Sequence, residues 1–207
     1  MANQWDNINL LKFAQIRAVF ADEKKDATDR MVALAAILEG TDEETISRMP
    51  LQEVQPVFAR AWELNTPPQR NRVRRRYNVG AWTLRVTQPK ELNVAQWLDF
   101  QNYMRGGVEE NMANLLSVAL IPEGKSYNDG YNIEELKAAL RQDLAITDAL
   151  AVCFFFQKRY LHSMRSILNR LVGWIVLARI KDRKAKRAAI AKALKTKAEI
   201  SALMRSL

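Results

Sequence analysis

LAITDALAVCFFFQKRYLHSMRSILNRLVGWIVLA, residues 144–178, decides the fold. Large apolar side chains recur along it at helical spacing, which predicts a long helix, opened by Thr147 and Asp148, that starts as buried core. The chain then runs on as RIKDRKAKRAAIAKALKTKAEISALMRSL, residues 179–207, still with helical spacing but now dense in Lys and Arg. Everything before Thr147 is expected to form a compact body around this run. The expected fold is mainly α with one small β-hairpin: a helical body, residues 1–178, and a basic helical arm, residues 179–207.

Charge follows the same division. The 207 residues carry a net charge of +9. From Lys158 to Leu207 there are 14 Lys/Arg against two acids, a balance of +12, whereas the preceding 157 residues hold 18 basic and 21 acidic side chains, a balance of −3. Such asymmetry marks an interaction tail for nucleic acid, an acidic protein surface, or a neighbouring copy's body. The one cysteine, Cys153, can form no intramolecular disulfide and fits a reducing compartment. No signal peptide is read at the N-terminus, and the longest apolar run, Leu171–Ala178, is far short of a membrane span.

Upstream, short amphipathic helices are predicted. Leu10, Phe13, Ile16 and Phe20 share a stripe over Ile8–Phe20, and Met31, Leu34, Ala35 and Leu38 another over Thr28–Glu39, closed by Gly40. Thr41 with Glu44 forms an expected capping box, and Pro50 opens a helix that buries Val54, Val57, Phe58 and Ala61. NRVRRRYNVGAWTLRVT, 71–87, alternates as a hairpin turning at Gly80, with Val73, Arg75 and Tyr77 on one face, then Trp82, Leu84 and Val86. Three further helices are expected: Leu92–Arg105, capped by Asn93 and amphipathic through Val94, Trp97, Leu98 and Phe100/Gln101; Val108–Leu120; and, after the loop Pro122–Asn132, Ile133–Leu144.

Catalysis finds little material here. Cys153 and the single histidine, His162, lie nine residues apart on one predicted helix, roughly 13–14 Å along its axis, too far for a hydrogen bond. Gly124-Lys125-Ser126 ends like a phosphate loop, but the glycine needed five positions earlier is Ala119, and Asn128-Asp129-Gly130 suits a turn. No cofactor and no metal are expected.

Binding has more to work with. Arg70, Arg72, Arg74, Arg75 and Arg76 crowd into seven residues. On an extended strand Arg72, Arg74 and Arg76 share a face, so acids, phosphate or solvent must offset their repulsion. The arm carries Arg183, Lys184, Lys186, Arg187, Lys192 and Lys195, and beside them an apolar stripe of Ile190 and Leu194, then Ile200, Leu203, Met204 and Leu207 at i, i+3, i+4 and i+7. The arm is a solvated helix, a phosphate binder, or a helix that docks in a protein groove. The stripe favours the groove.

ILEGTDEE (37–44), RMPLQEV (48–54), QWLDF (96–100) and IPEGKSYNDGYNIEEL (121–136) give Ile8–Leu171 a familiar order. This stretch resembles small proteins encoded among the structural and tail-assembly genes of tailed bacteriophages. The resemblance implies a non-enzymatic virion protein: a tail, neck or capsid component, or a tail-assembly factor. Its partners would be other phage structural proteins or copies of itself, in an oligomer. Its place would be the host cytoplasm during assembly, with retention in the finished virion left open. It supplies no catalytic residues and does not reach past Arg179. The alternative is a basic nucleic-acid-binding module using the arginine cluster and the arm.

Overall fold

The computed structural model describes residues 4–88, 91–108 and 110–159, with Ala191 and Lys195. The chain divides into two compact units, Met1–Cys153 and Phe154–Leu207. The expected boundary after residue 178 falls outside the described residues.

The first unit is mainly helical with one small antiparallel sheet. After a 3-10 turn at Gln4–Asn7 come α1 (Leu10–Ala21), α2 (Ala27–Glu39), α3 (Glu43–Arg48) and α4 (Leu51–Glu63). A hairpin of β1 (Arg76–Val79) and β2 (Trp82–Val86) follows, then α5 (Val94–Arg105), α6 (Met112–Ala119), β3 (Leu120–Pro122) and α7 (Ile133–Asp143). A further helix, α8, begins in this unit at residue 146 and is described to residue 159.

α2 is the hub of the N-terminal half and packs against α1, α3 and α4. Its buried Ala33, Ala35 and Ala36 let the neighbouring helices approach closely, and Ala35 and Ala36 share a core with Ile46, Val54 and Val57. Its ends follow the expected chemistry. Asp26 caps the first turn by accepting from the Asp29 amide at 2.8 Å, and Gly40 at φ +71 closes the helix, its amide donating to the Ala36 carbonyl at 2.9 Å. The cap of α3 is Asp42 rather than Thr41. Its carboxylate accepts from the Thr45 amide at 2.7 Å and from the Thr45 hydroxyl at 3.1 Å, and a charged acceptor suits the positive helix end better than a hydroxyl does.

The sheet has one strand more than the hairpin, in the order β1-β2-β3. β3 pairs Leu84 with Pro122, Arg85 with Ile121 and Val86 with Leu120. Of these three strand residues, Leu120 was expected to end a helix and Pro122 to start a loop. All three are buried, so no alternation marks them as a strand, and α6 runs into β3 without a turn residue. Pro122 is tolerated because β3 lies at the sheet edge. The expected start of α6 at Val108 also moves, to Met112.

The hairpin itself turns where expected. Val79 pairs with Trp82 around Gly80, whose φ of +54 is open to glycine. Its buried side chains are Tyr77, Val79, Leu84 and Val86, with Trp82 half-buried in a T-shaped contact with Tyr131. Val73 and Arg75 do not join that inner face, because pairing begins only at Arg76.

α5 differs most from expectation. Asn93 is its N-cap, in a reciprocal capping box with Gln96. The Gln96 amide then reaches the Val118 carbonyl at 3.3 Å, which brings Gln96 and Phe100 to the inside. Val94 and Leu98, expected inside, are 76% and 52% exposed. The helix thus keeps Phe100 of its expected stripe inside but turns Gln96 in and Val94 and Leu98 out.

Candidate functional site

The arginine cluster lies on an irregular segment between α4 and β1, and the body holds that segment at several points. Upstream, the Trp5 indole donates to the Thr66 carbonyl at 2.7 Å. At its centre the Asn71 side-chain amide lies 3.0 Å from both Thr147 Oγ1 and Asp148 Oδ1, and the Asn71 backbone amide donates to the Thr147 carbonyl at 3.2 Å. Thr147 in turn donates to Asp6 at 2.7 Å. Thr147 and Asp148 therefore do not cap α8 from outside. They lie in its first turn, buried, and bind the segment across the fold.

Downstream, the Arg74 backbone amide donates to the Tyr77 hydroxyl at 3.0 Å, and the Val86 amide to the Arg75 carbonyl at 3.2 Å. Burial raises the Tyr77 phenol above its ordinary value, so it stays a neutral hydroxyl here. Backbone and anchors are thus fixed from Asn71 to Tyr77 while Arg72, Arg74, Arg75 and Arg76 remain exposed.

Acids answer only part of this charge. Arg74 meets Asp148 at 3.7 Å, Arg76 pairs with Glu123, and Arg85 of β2 meets Glu91 at 3.7 Å. The Arg76 and Arg85 pairs are exposed, each worth roughly 0.2–1 kcal/mol, and release their guanidinium groups readily, whereas Arg74 meets a buried carboxylate. Arg72 and Arg75 make no ion pair among the described residues. The expected shared face of Arg72, Arg74 and Arg76 is not a strand face, since only Arg76 belongs to β1.

A second surface is apolar. Leu51 and Trp62 of α4 are 76% and 69% exposed. They stand eleven residues apart, three helical turns, so they share a stripe with the half-buried Phe58 between them. Val94 and Leu98 form another exposed pair on α5. Two clefts of about 500 and 460 Å3 flank α1, one reaching α6 and α7, the other lined by Trp5, Leu64, Pro67 and Pro68. The exposure of Leu51 and Trp62 was not read from the sequence, since both flank the inward line of Val54, Val57, Phe58 and Ala61. No sequence signal marked Asn71 as an anchor.

Of the arm's candidates, Lys195 is helical and exposed. Ile190, Leu194, Ile200, Leu203, Met204 and Leu207, with Arg183, Lys184, Lys186, Arg187 and Lys192, lie outside the described residues, as does His162. Cys153 is buried, which pushes its thiol up to about 12. Gly124-Lys125-Ser126 lies in the turn after β3, with the Lys125 amide on the Pro122 carbonyl at 3.1 Å. Asn128 and Gly130, both with positive φ, complete a turn around Asp129. No group of three His, Cys, Asp or Glu among the described residues is arranged to hold a metal ion, and no described helix is long and apolar enough to cross a membrane.

No known family model, no curated protein and no solved structure matches this chain.

Proposed function

We propose that the protein is a non-enzymatic structural or assembly protein of a tailed-phage virion, acting through protein–protein contacts with copies of itself or with other virion proteins. The observation that carries this reading is the stripe of Leu51, Phe58 and Trp62 on α4, with a tryptophan left 69% exposed. A large aromatic of this kind anchors interfaces by filling a partner's pocket.

Magnitudes decide how the stripe is used. Burying roughly 200 Å2 of Leu51 and Trp62 at about 25 cal/mol per Å2 yields about 5 kcal/mol. Association costs about 4–15 kcal/mol before any surplus appears as affinity. The α4 stripe alone is therefore too small. It becomes an interface only together with another apolar surface, either the Val94–Leu98 pair or the arm stripe Ile190–Leu207. Contacts divided in this way suit an assembly protein that grips more than one neighbour. The resemblance read in Ile8–Leu171, to small proteins encoded among the structural and tail-assembly genes of tailed bacteriophages, points the same way.

Light scattering tests it. Full-length protein is expected to self-associate, and Leu51→Ser with Trp62→Ser to lower its mass while far-ultraviolet circular dichroism stays unchanged. Equal mass for both proteins contradicts the role given to α4.

A further inference from the structure

From Leu64 to Lys90 the chain holds seven Lys/Arg and no Asp or Glu. Few stretches of a folded body keep such a bias, because neighbouring like charges repel. Here the body spends hydrogen bonds on holding the segment in place. Asn71 is bound to Thr147 and Asp148, the Arg74 amide to Tyr77, and the Arg75 carbonyl to Val86. A solvated loop needs no such anchoring, and the result is a fixed row of guanidinium groups facing out.

We propose that residues 72–76 form a phosphate-directed binding site for the backbone of a nucleic-acid duplex. Arg72 and Arg75, unpaired among the described residues, make the first contacts. Arg76 exchanges its exposed partner Glu123 for phosphate, and Arg74, whose own side chain is exposed, adds a contact beside the buried Asp148. Arginine suits this task because its planar fork binds phosphate through two parallel hydrogen bonds.

Two observations fix the class of ligand. The nearby aromatic rings are committed to the fold: Tyr77 is buried, and Trp82 is half-buried in a T-shaped contact with Tyr131. No ring is therefore offered to an unstacked base, as a single-strand site would require. The row also lacks an apolar centre, since Val73, at 36% exposed, is its one hydrophobic residue. Protein interfaces are built around such a centre, whereas duplex contacts go largely to phosphate. Binding is accordingly independent of base sequence and steep in salt. This inference rests on the arginine row alone and is independent of the assembly reading.

The test uses full-length protein and a fluorescent 20-base-pair DNA duplex of random sequence, titrated at 50–200 mM salt. Arg72→Ala with Arg75→Ala is expected to reduce the slope of log affinity against log salt by about two, at close to 0.9 per lost phosphate contact. The advantage of wild type over the variant then shrinks about tenfold across that salt range. Arg72→Lys with Arg75→Lys keeps the charges and is expected to keep the slope. Unchanged melting of the variants excludes a folding effect. Failure of wild type to bind, or identical slopes for wild type and the alanine variant, overturns the proposal. Tighter binding of polyglutamate than of duplex through the same arginines also overturns it, in favour of an acidic protein partner.

Discussion

The Asn71 side-chain amide lies 3.0 Å from Asp148 Oδ1 and so ties the arginine-rich segment to the first turn of α8. Asp148 is buried, and its other oxygen faces Arg74 at 3.7 Å. One amide thus both satisfies a buried carboxylate and fixes the backbone that displays the arginines.

Asn71→Ala removes that donor and leaves Thr147 and Asp148, both buried, short of a partner. A buried acceptor left unsatisfied costs about 1–3 kcal/mol. The urea midpoint is expected to fall accordingly. A midpoint equal to wild type shows that solvent replaces Asn71 without loss.

Two glycines separate conformational strain from collision. Gly40, at φ +71, has nothing within 4 Å of an added Cβ, so Gly40→Ala meets only the left-handed penalty, about 1 kcal/mol. At Gly80, φ +54, the Cβ would also come within 2.9 Å of Asp143 Oδ2. Gly80→Ala is expected to lower the thermal midpoint further than Gly40→Ala does. The reverse order contradicts the packing of α7 behind the hairpin.

The cap of α3 gives a pH signature. Hydrogen bonds from the Thr45 amide and hydroxyl hold the Asp42 carboxyl below its ordinary value of 3.8. A depressed folded pKa stabilises above the unfolded pKa and loses that effect as pH falls through the folded value. Asp42→Ala is therefore expected to melt below wild type at pH 7, with the gap closing below pH 3.8. Asp42→Asn keeps the acceptor and is expected to follow wild type at pH 7. A constant gap for Asp42→Ala across this range would assign the loss to something other than the cap.

Burial governs Cys153 as well. With its thiol pushed up to about 12, roughly one molecule in ten thousand is ionised at pH 8. Iodoacetamide is expected to leave the native protein unmodified and to alkylate Cys153 fully in urea. Rapid alkylation under native conditions contradicts its burial.

The helices and the hairpin turn were legible because their signals are local. Asn93, Gly40 and Gly80 act through their own backbones, and Val54, Val57 and Ala61 recur with the helix. β3 was not legible, since Leu120, Ile121 and Pro122 are buried whichever way they face. The burial of Gln96 on α5 was not legible either, since its partner Val118 lies 22 residues away and leaves no local trace. The arginine cluster was visible as composition. Its display depends on Asp6, Thr147 and Asp148, which are far from it in sequence.

The most direct measurement compares full-length protein with a truncation ending at Ala178, by light scattering at low and high salt, with and without duplex DNA. Apolar docking predicts that full-length protein self-associates without DNA, that the association survives high salt, and that the truncation weakens it. A full-length protein that stays monomeric at both salts, and gains mass only with DNA at low salt, contradicts an assembly role built on apolar contacts.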